Sequence, residues 1–127
     1  MGQNTGDDPI PEDLRRFIIL NIDSVAELEC LLLFQRNPGW KAAPPDIAQK
    51  LYIPVQDAQD ILERLVARQL LGQADDNLYA YKNLFAEMVT RLAALYAQYL
   101  VPVTNLIHSK PKNKIQKFAD AFWIRKD

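Results

Sequence analysis

One cysteine, Cys30, and one histidine, His108, are the only side chains of their kinds in the chain. A lone cysteine has no partner for an intramolecular disulfide, and no second thiol exists to help build a zinc site. Cys30 lies inside an apolar run and reads as a small core residue, not a nucleophile. His108 has no serine and carboxylate that the sequence places beside it, and no second histidine for a metal, so a surface or capping role is expected. Asp75 and Asp76 are adjacent, whereas a calcium loop needs many spaced oxygen ligands. The four glycines are scattered and form no phosphate-cradling loop. The sequence therefore points to no catalytic residue, no metal and no cofactor, and the chain is expected not to be an enzyme. What remains is recognition chemistry: amides, guanidinium groups and ammonium groups on surface elements.

Those groups depend on the elements that hold them. With 49% hydrophobic and 24% charged residues, the 127-residue chain has the make-up of an ordinary folded protein. Met1 to Asp13 reads as a flexible polar tail without the basic and apolar stretches of a signal peptide. Leu14 to Ile22 is apolar and β-branched, which suggests a short strand or extended arm. A first helix starts at Ser24, with Glu27 at the capping-box spacing, and carries Val25, Leu28, Leu31 and Leu32. Asn37-Pro38-Gly39 ends it, and Trp40 and Lys41 suit a very short strand. A second helix begins at Pro44-Pro45-Asp46 and stops near Pro54. The third runs from about Val55 to Gln69, with Ala58, Ile61, Leu62, Leu65 and Val66 on one stripe. Gln73 to Tyr81 forms a hairpin around Asp75-Asp76-Asn77.

A long fourth helix is expected from Asn83 to about Leu100, broken or kinked by Pro102, with a broken continuation over Val103 to His108. It is apolar around much of its circumference. Leu84, Phe85, Met88, Leu92, Leu95, Tyr96 and Tyr99 form either a dimer interface or a face covered by a last helix folding back. That last helix, Lys114 to Arg125, has Ile115, Phe118, Ala119, Phe122 and Trp123 on one side. Lys110, Lys112, Lys114 and Lys117 make a basic cluster there, suited to phosphate or an acidic partner, or simply solvated. Charge is unevenly divided. Residues 1–81 contain 13 acidic and 7 basic side chains, and residues 82–127 contain 3 acidic and 8 basic ones. No apolar run reaches the roughly 18 residues that span a bilayer, so no membrane association is expected, and the lone thiol fits a cytoplasmic location.

Helix, turn, short strand, helix, tight turn, helix and hairpin follow one another in the order of a winged helix. Trp40 to Leu51, with its Ile47-Ala48-Gln49-Lys50-Leu51 core, and Val55 to Leu71 resemble the winged-helix-turn-helix domain of bacterial transcriptional regulators. The resemblance covers about 60 residues. It implies a mainly α fold: a winged-helix domain over residues 14–82 with a β-hairpin wing, and a C-terminal helical extension over 83–127. It also implies binding of double-stranded DNA, with the third helix in the major groove and the wing on the backbone. Carried onto this sequence, the contacts are Gln56, Gln59 and Arg64 on the third helix, Lys41 and Lys50 ahead of it, Gln73 on the wing and Lys82 after it. A glutamine amide matches an adenine edge, and an arginine matches guanine or phosphate. A homodimer would present two such helices to paired half-sites. The third helix also carries Asp57, Asp60 and Glu63, so the alternative is a protein-interaction module whose acidic face holds a basic partner.

Overall fold

The computed structural model of the chain describes residues 9–109. Its first helix, α1 (Glu12–Asn21), replaces the strand or arm expected at Leu14 to Ile22. Pro11 sets the entry backbone, Glu12 and Asp13 sit favourably at the positive end of the helix dipole, and Asp13 Oδ1 accepts the Leu14 N–H at 2.8 Å. Leu14, Phe17 and Ile18 are buried at helical spacing. The β-branched residues lower intrinsic helicity by only tenths of a kcal/mol each, and packing of one apolar face outweighs that.

Helix α2 (Val25–Arg36) is the centre of the core. Ser24 Oγ accepts the Glu27 N–H at 3.1 Å, as the capping spacing predicts. The return bond goes one residue further back than in a standard box, from the Asp23 N–H to Glu27 Oε1 at 2.9 Å. Leu28, Cys30, Leu31, Leu32 and Phe34 are buried on nearly every side, because helices and sheet surround α2. The Asn37 side chain donates to the Leu33 carbonyl, and the Trp40 N–H closes the turn onto Asn37.

Strand β1 (Lys41–Ala42) leads into α3 (Pro44–Leu51), whose first turn is fastened by Asp46 Oδ2 accepting the Ala43 N–H at 2.9 Å. Tyr52 ends α3 in the left-handed region, φ 58°. Pro54 then leads into α4 (Val55–Ala67), which buries Ala58, Ile61, Leu62 and Leu65. Strands β2 (Leu71–Asp75) and β3 (Leu78–Tyr81) form the hairpin, with Asn77 at φ 55° in its tip. The antiparallel sheet has the order β1-β3-β2, with Lys41 opposite Ala80 and Gly72 opposite Ala80 on the other side.

The expected long fourth helix is two helices. After a 3-10 turn over Asn83–Phe85, α5 spans Ala86–Gln98 and α6 spans Leu100–Ser109. The break falls at Tyr99 because the ring of Pro102 clashes with the carbonyl four residues earlier, that of Gln98, and supplies no N–H to it. Pro102 is instead accommodated in the first turn of α6.

The apolar circumference of α5 is covered from within the chain. Val89, Leu92, Leu95 and Tyr96 are buried against α1, α2 and α6. Of the residues expected to form either a dimer interface or a covered face, Leu92, Leu95 and Tyr96 are buried within the chain. One of the covering elements is α1, whose residues the sequence had suggested as strand. Arg91 clamps α1 to α5 through Asp13, at 2.7 and 3.1 Å. The last amphipathic helix expected at Lys114 to Arg125 lies outside the described residues.

Candidate nucleic-acid interface

Helix α4 projects two sets of polar residues. On its outer side, Gln56 Nε2 donates to Asp60 Oδ1 at 3.1 Å, and Gln59 Nε2 donates to Glu63 Oε2 at 2.7 Å. Each is a pair four residues apart on one helix face. Gln59 Nε2 also lies 3.2 Å from Tyr79 Oη, which ties α4 to the buried tyrosine of β3. Gln56, Asp57 and Glu63 are exposed, and Gln59 and Asp60 are half-buried.

Arg64, which lines a surface hollow with Asp57, Asp60 and Ser24, and Arg68, just past the end of α4, both reach to the start of α2. Arg64 Nε donates to Glu27 Oε2 at 2.6 Å. Arg68 donates to Glu27 Oε1 at 3.1 Å, to Asp23 Oδ2 at 2.7 Å and to the Asn21 carbonyl at 2.6 Å. Glu27 is completely buried. A buried carboxylate is tolerated only when its charge is matched and its oxygens are hydrogen-bonded. Here two guanidinium groups and the Asp23 N–H meet that condition. The result is a network joining the end of α1, the start of α2 and the C-terminal end of α4, which anchors that end of α4.

Glu27, set by its spacing at a helix start, is buried, and Arg64, expected as a base or phosphate contact, donates to it while its own side chain stays 45% exposed. The sequence held a usable signal: Arg64 and Arg68 stand four residues apart, and a capping glutamate with Asp23 beside it offers two acids for them.

The remaining cations flank the helix. Lys50 Nζ on α3 stands 5.9 Å over the Trp40 ring, which packs on Phe34 with centroids 5.0 Å apart. A cation held over an aromatic face keeps its charge at the surface while covering apolar area. Lys41 is exposed on β1. Lys82 Nζ donates to Gln69 Oε1 at 3.1 Å at the base of the hairpin. Gln73 is exposed on β2 and lines, with Ala74, Asp75 and Asp76, an open hollow on the wing. Lys41, Lys50 and Trp40 thus belong to the β1–α3 side, Lys82 and Gln69 to the wing base, and Gln56 and Gln59 to α4 between these elements.

The order of helices, the tight turn at Tyr52 and the hairpin packed beside α4 define the architecture. A solved structure of a mutant form of Lactococcus lactis ZitR matches it with a TM-score of 0.50 and 17% identity, covering 82% of this chain and 75% of that one. The fold is a winged helix-turn-helix. No family model and no curated protein matches the sequence. Within the winged helix, α2, α3 and α4 are its three helices and β2–β3 is its wing, while α1, α5 and α6 are additions packed on the far side of α2. Cys30 lies in that core. Burial, and then the charge of Glu27, push its thiol up to about 12, so it stays protonated and unreactive. No group of three or more metal-ligating side chains occurs among the described residues. No helix among them is long and apolar enough to cross a membrane.

Proposed function

We propose that the chain is a DNA-binding transcriptional regulator, not an enzyme, that reads double-stranded DNA with the N-terminal half of α4 and grips the backbone through the elements beside it. The observation that carries this reading is the exposed first turn of α4, with Gln56 on it, in the helix position that enters the major groove in winged helices. Gln56 and Gln59 supply amide edges suited to adenine. Lys41, Lys50 and Lys82 supply phosphate contacts, and Gln73 supplies a polar contact from the wing. Arg64 acts behind the interface, holding α4 through Glu27. Such a regulator works in the cytoplasm as a homodimer. The pairing surface proposed here is the exposed apolar corner at the start of α6, Leu100 and Val101, each more than half exposed.

A second reading rests on the capture of Arg64 and Arg68. With both guanidinium groups bound to Glu27, the charges of Asp57, Asp60 and Glu63 on α4, and of Asp75 and Asp76 at the wing tip, have fewer cations to offset them. That surface suits a basic protein partner. One variant separates the two readings. Neutralising the helix face with Asp57→Asn, Asp60→Asn and Glu63→Gln removes charge that repels phosphate. If DNA is the ligand, the triple variant binds duplex DNA more tightly than the unmodified chain. If a basic partner is the ligand, the variant loses affinity for a polylysine peptide and gains none for DNA.

A further inference from the structure

We infer that an open apolar groove at the start of α5 is the seat of this chain's own C-terminal segment, Ile115 to Trp123, docked in cis. The groove is lined by Leu84, Phe85, Glu87, Met88 and Arg91. Leu84 is 56% exposed and Phe85 42% exposed. The Phe85 ring meets Phe17 of α1 edge-on, with centroids 6.2 Å apart. One turn beyond Phe17, Leu20 is 65% exposed. Leu84 and Phe85, exposed side by side in one groove at a ring contact, are more than the singly scattered leucines a protein surface normally carries.

Sequence and chain reach identify the occupant. Ile115, Phe118, Ala119, Phe122 and Trp123 recur at the spacing of one helix face, an apolar stripe that needs a partner surface. Ser109, the end of α6, shares a surface hollow with Ile10 and Arg15 at the start of α1. From there α1 leads towards Phe17 and Leu20, a distance of roughly 10 Å along its axis at 1.5 Å per residue. The stretch from Lys110 to Lys114 spans up to about 17 Å when extended, enough to bring Ile115 to the groove without crossing the molecule. The groove holds both signs of charge: Arg91 is bound to Asp13, and Glu87 suits Lys114 or Lys117, which flank the apolar stripe. The groove begins two residues after Lys82, whose N–H donates to the Leu70 carbonyl just past α4, and the proposal holds whether or not the chain binds DNA.

The test uses the full chain with Trp40→Phe, which leaves Trp123 as its only tryptophan. Docking in cis predicts blue-shifted Trp123 emission and acrylamide quenching several-fold weaker than in denaturant, both independent of protein concentration. Adding Leu84→Glu restores the emission and quenching of an exposed indole. Leu84→Ser, a smaller change at the same exposed position, is measured alongside, so that a folding failure in one variant leaves the other to be read. Trp123 quenched as freely in the native chain as in denaturant overturns the proposal. So does protection that survives both Leu84 variants. Protection that grows with concentration together with sedimentation mass also overturns it, and assigns the groove to a second copy.

Discussion

Arg64 Nε and Glu27 Oε2 meet at 2.6 Å across 37 residues of sequence, and the carboxylate at that contact is fully buried. The pair turns an arginine of α4 into a strut. Glu27→Gln removes the charge that both guanidinium groups face, and should destabilise the fold by about 3 kcal/mol, the range for breaking a buried pair on one side. Arg64→Met should cost about 1 kcal/mol or less, since that side chain is 45% exposed and Glu27 keeps Arg68. Urea denaturation checks the ranking. Equal losses for the two variants would mean that burial of Glu27 does not govern the network.

Tyr96 of α5 donates to Glu29 Oε2 of α2 at 2.6 Å. Burial first, then this hydrogen bond, raise its phenol from 10.0 to about 12. A group whose folded pKa exceeds its unfolded one stabilises the fold below the unfolded value and loses that contribution as pH rises through the folded one. Stability should therefore fall between pH 10 and 12. Tyr96→Phe should cost about 1.5 to 3 kcal/mol at neutral pH, as for a hydrogen bond to a charged group. It should also flatten the alkaline loss, which denaturation midpoints across that range would reveal.

Leu92 is fully buried and Leu100 is 53% exposed. Leu92→Ala should cost about 3 kcal/mol through the cavity it leaves, without a specific effect on association. Leu100→Ser together with Val101→Ser should leave thermal stability nearly unchanged while lowering sedimentation mass. A mass unaffected by that double variant at concentrations where the parent is dimeric would move the pairing surface elsewhere.

Cys30 is shielded by packing and held protonated well above neutral pH. Its modification by a thiol reagent should be slow in the native chain and should follow the opening of the core. Rates measured across a urea series should track the unfolding equilibrium. Fast native labelling would mean that the α2 packing opens locally.

Much of this was legible because the signals are local. Ser24 and Glu27 mark the start of α2, Pro54 separates α3 from α4, and Asp76-Asn77 turns the hairpin. The spacing of Ala58, Ile61, Leu62 and Leu65 gave the inner face of α4. What was missed depends on distant partners. Residues 14–22 look like a strand until α5 is there to bury Leu14, Phe17 and Ile18. Leu92 looks like an interface residue until α1 covers it. Gln56 and Gln59 were readable on the polar side of α4, but the fate of Arg64 was set by a carboxylate in another helix.

The most direct test of a DNA-binding role is a salt titration of the purified full chain on mixed-sequence duplex DNA, read by fluorescence anisotropy. The account predicts binding at low salt that weakens linearly in the logarithm of salt concentration, because phosphate contacts release counterions. Lys41→Ala and Lys50→Ala should each reduce the slope by about one, and Arg64→Met should leave it unchanged. A folded chain that shows no binding at low salt would contradict the account and leave the acidic face of α4 as a surface for a basic partner.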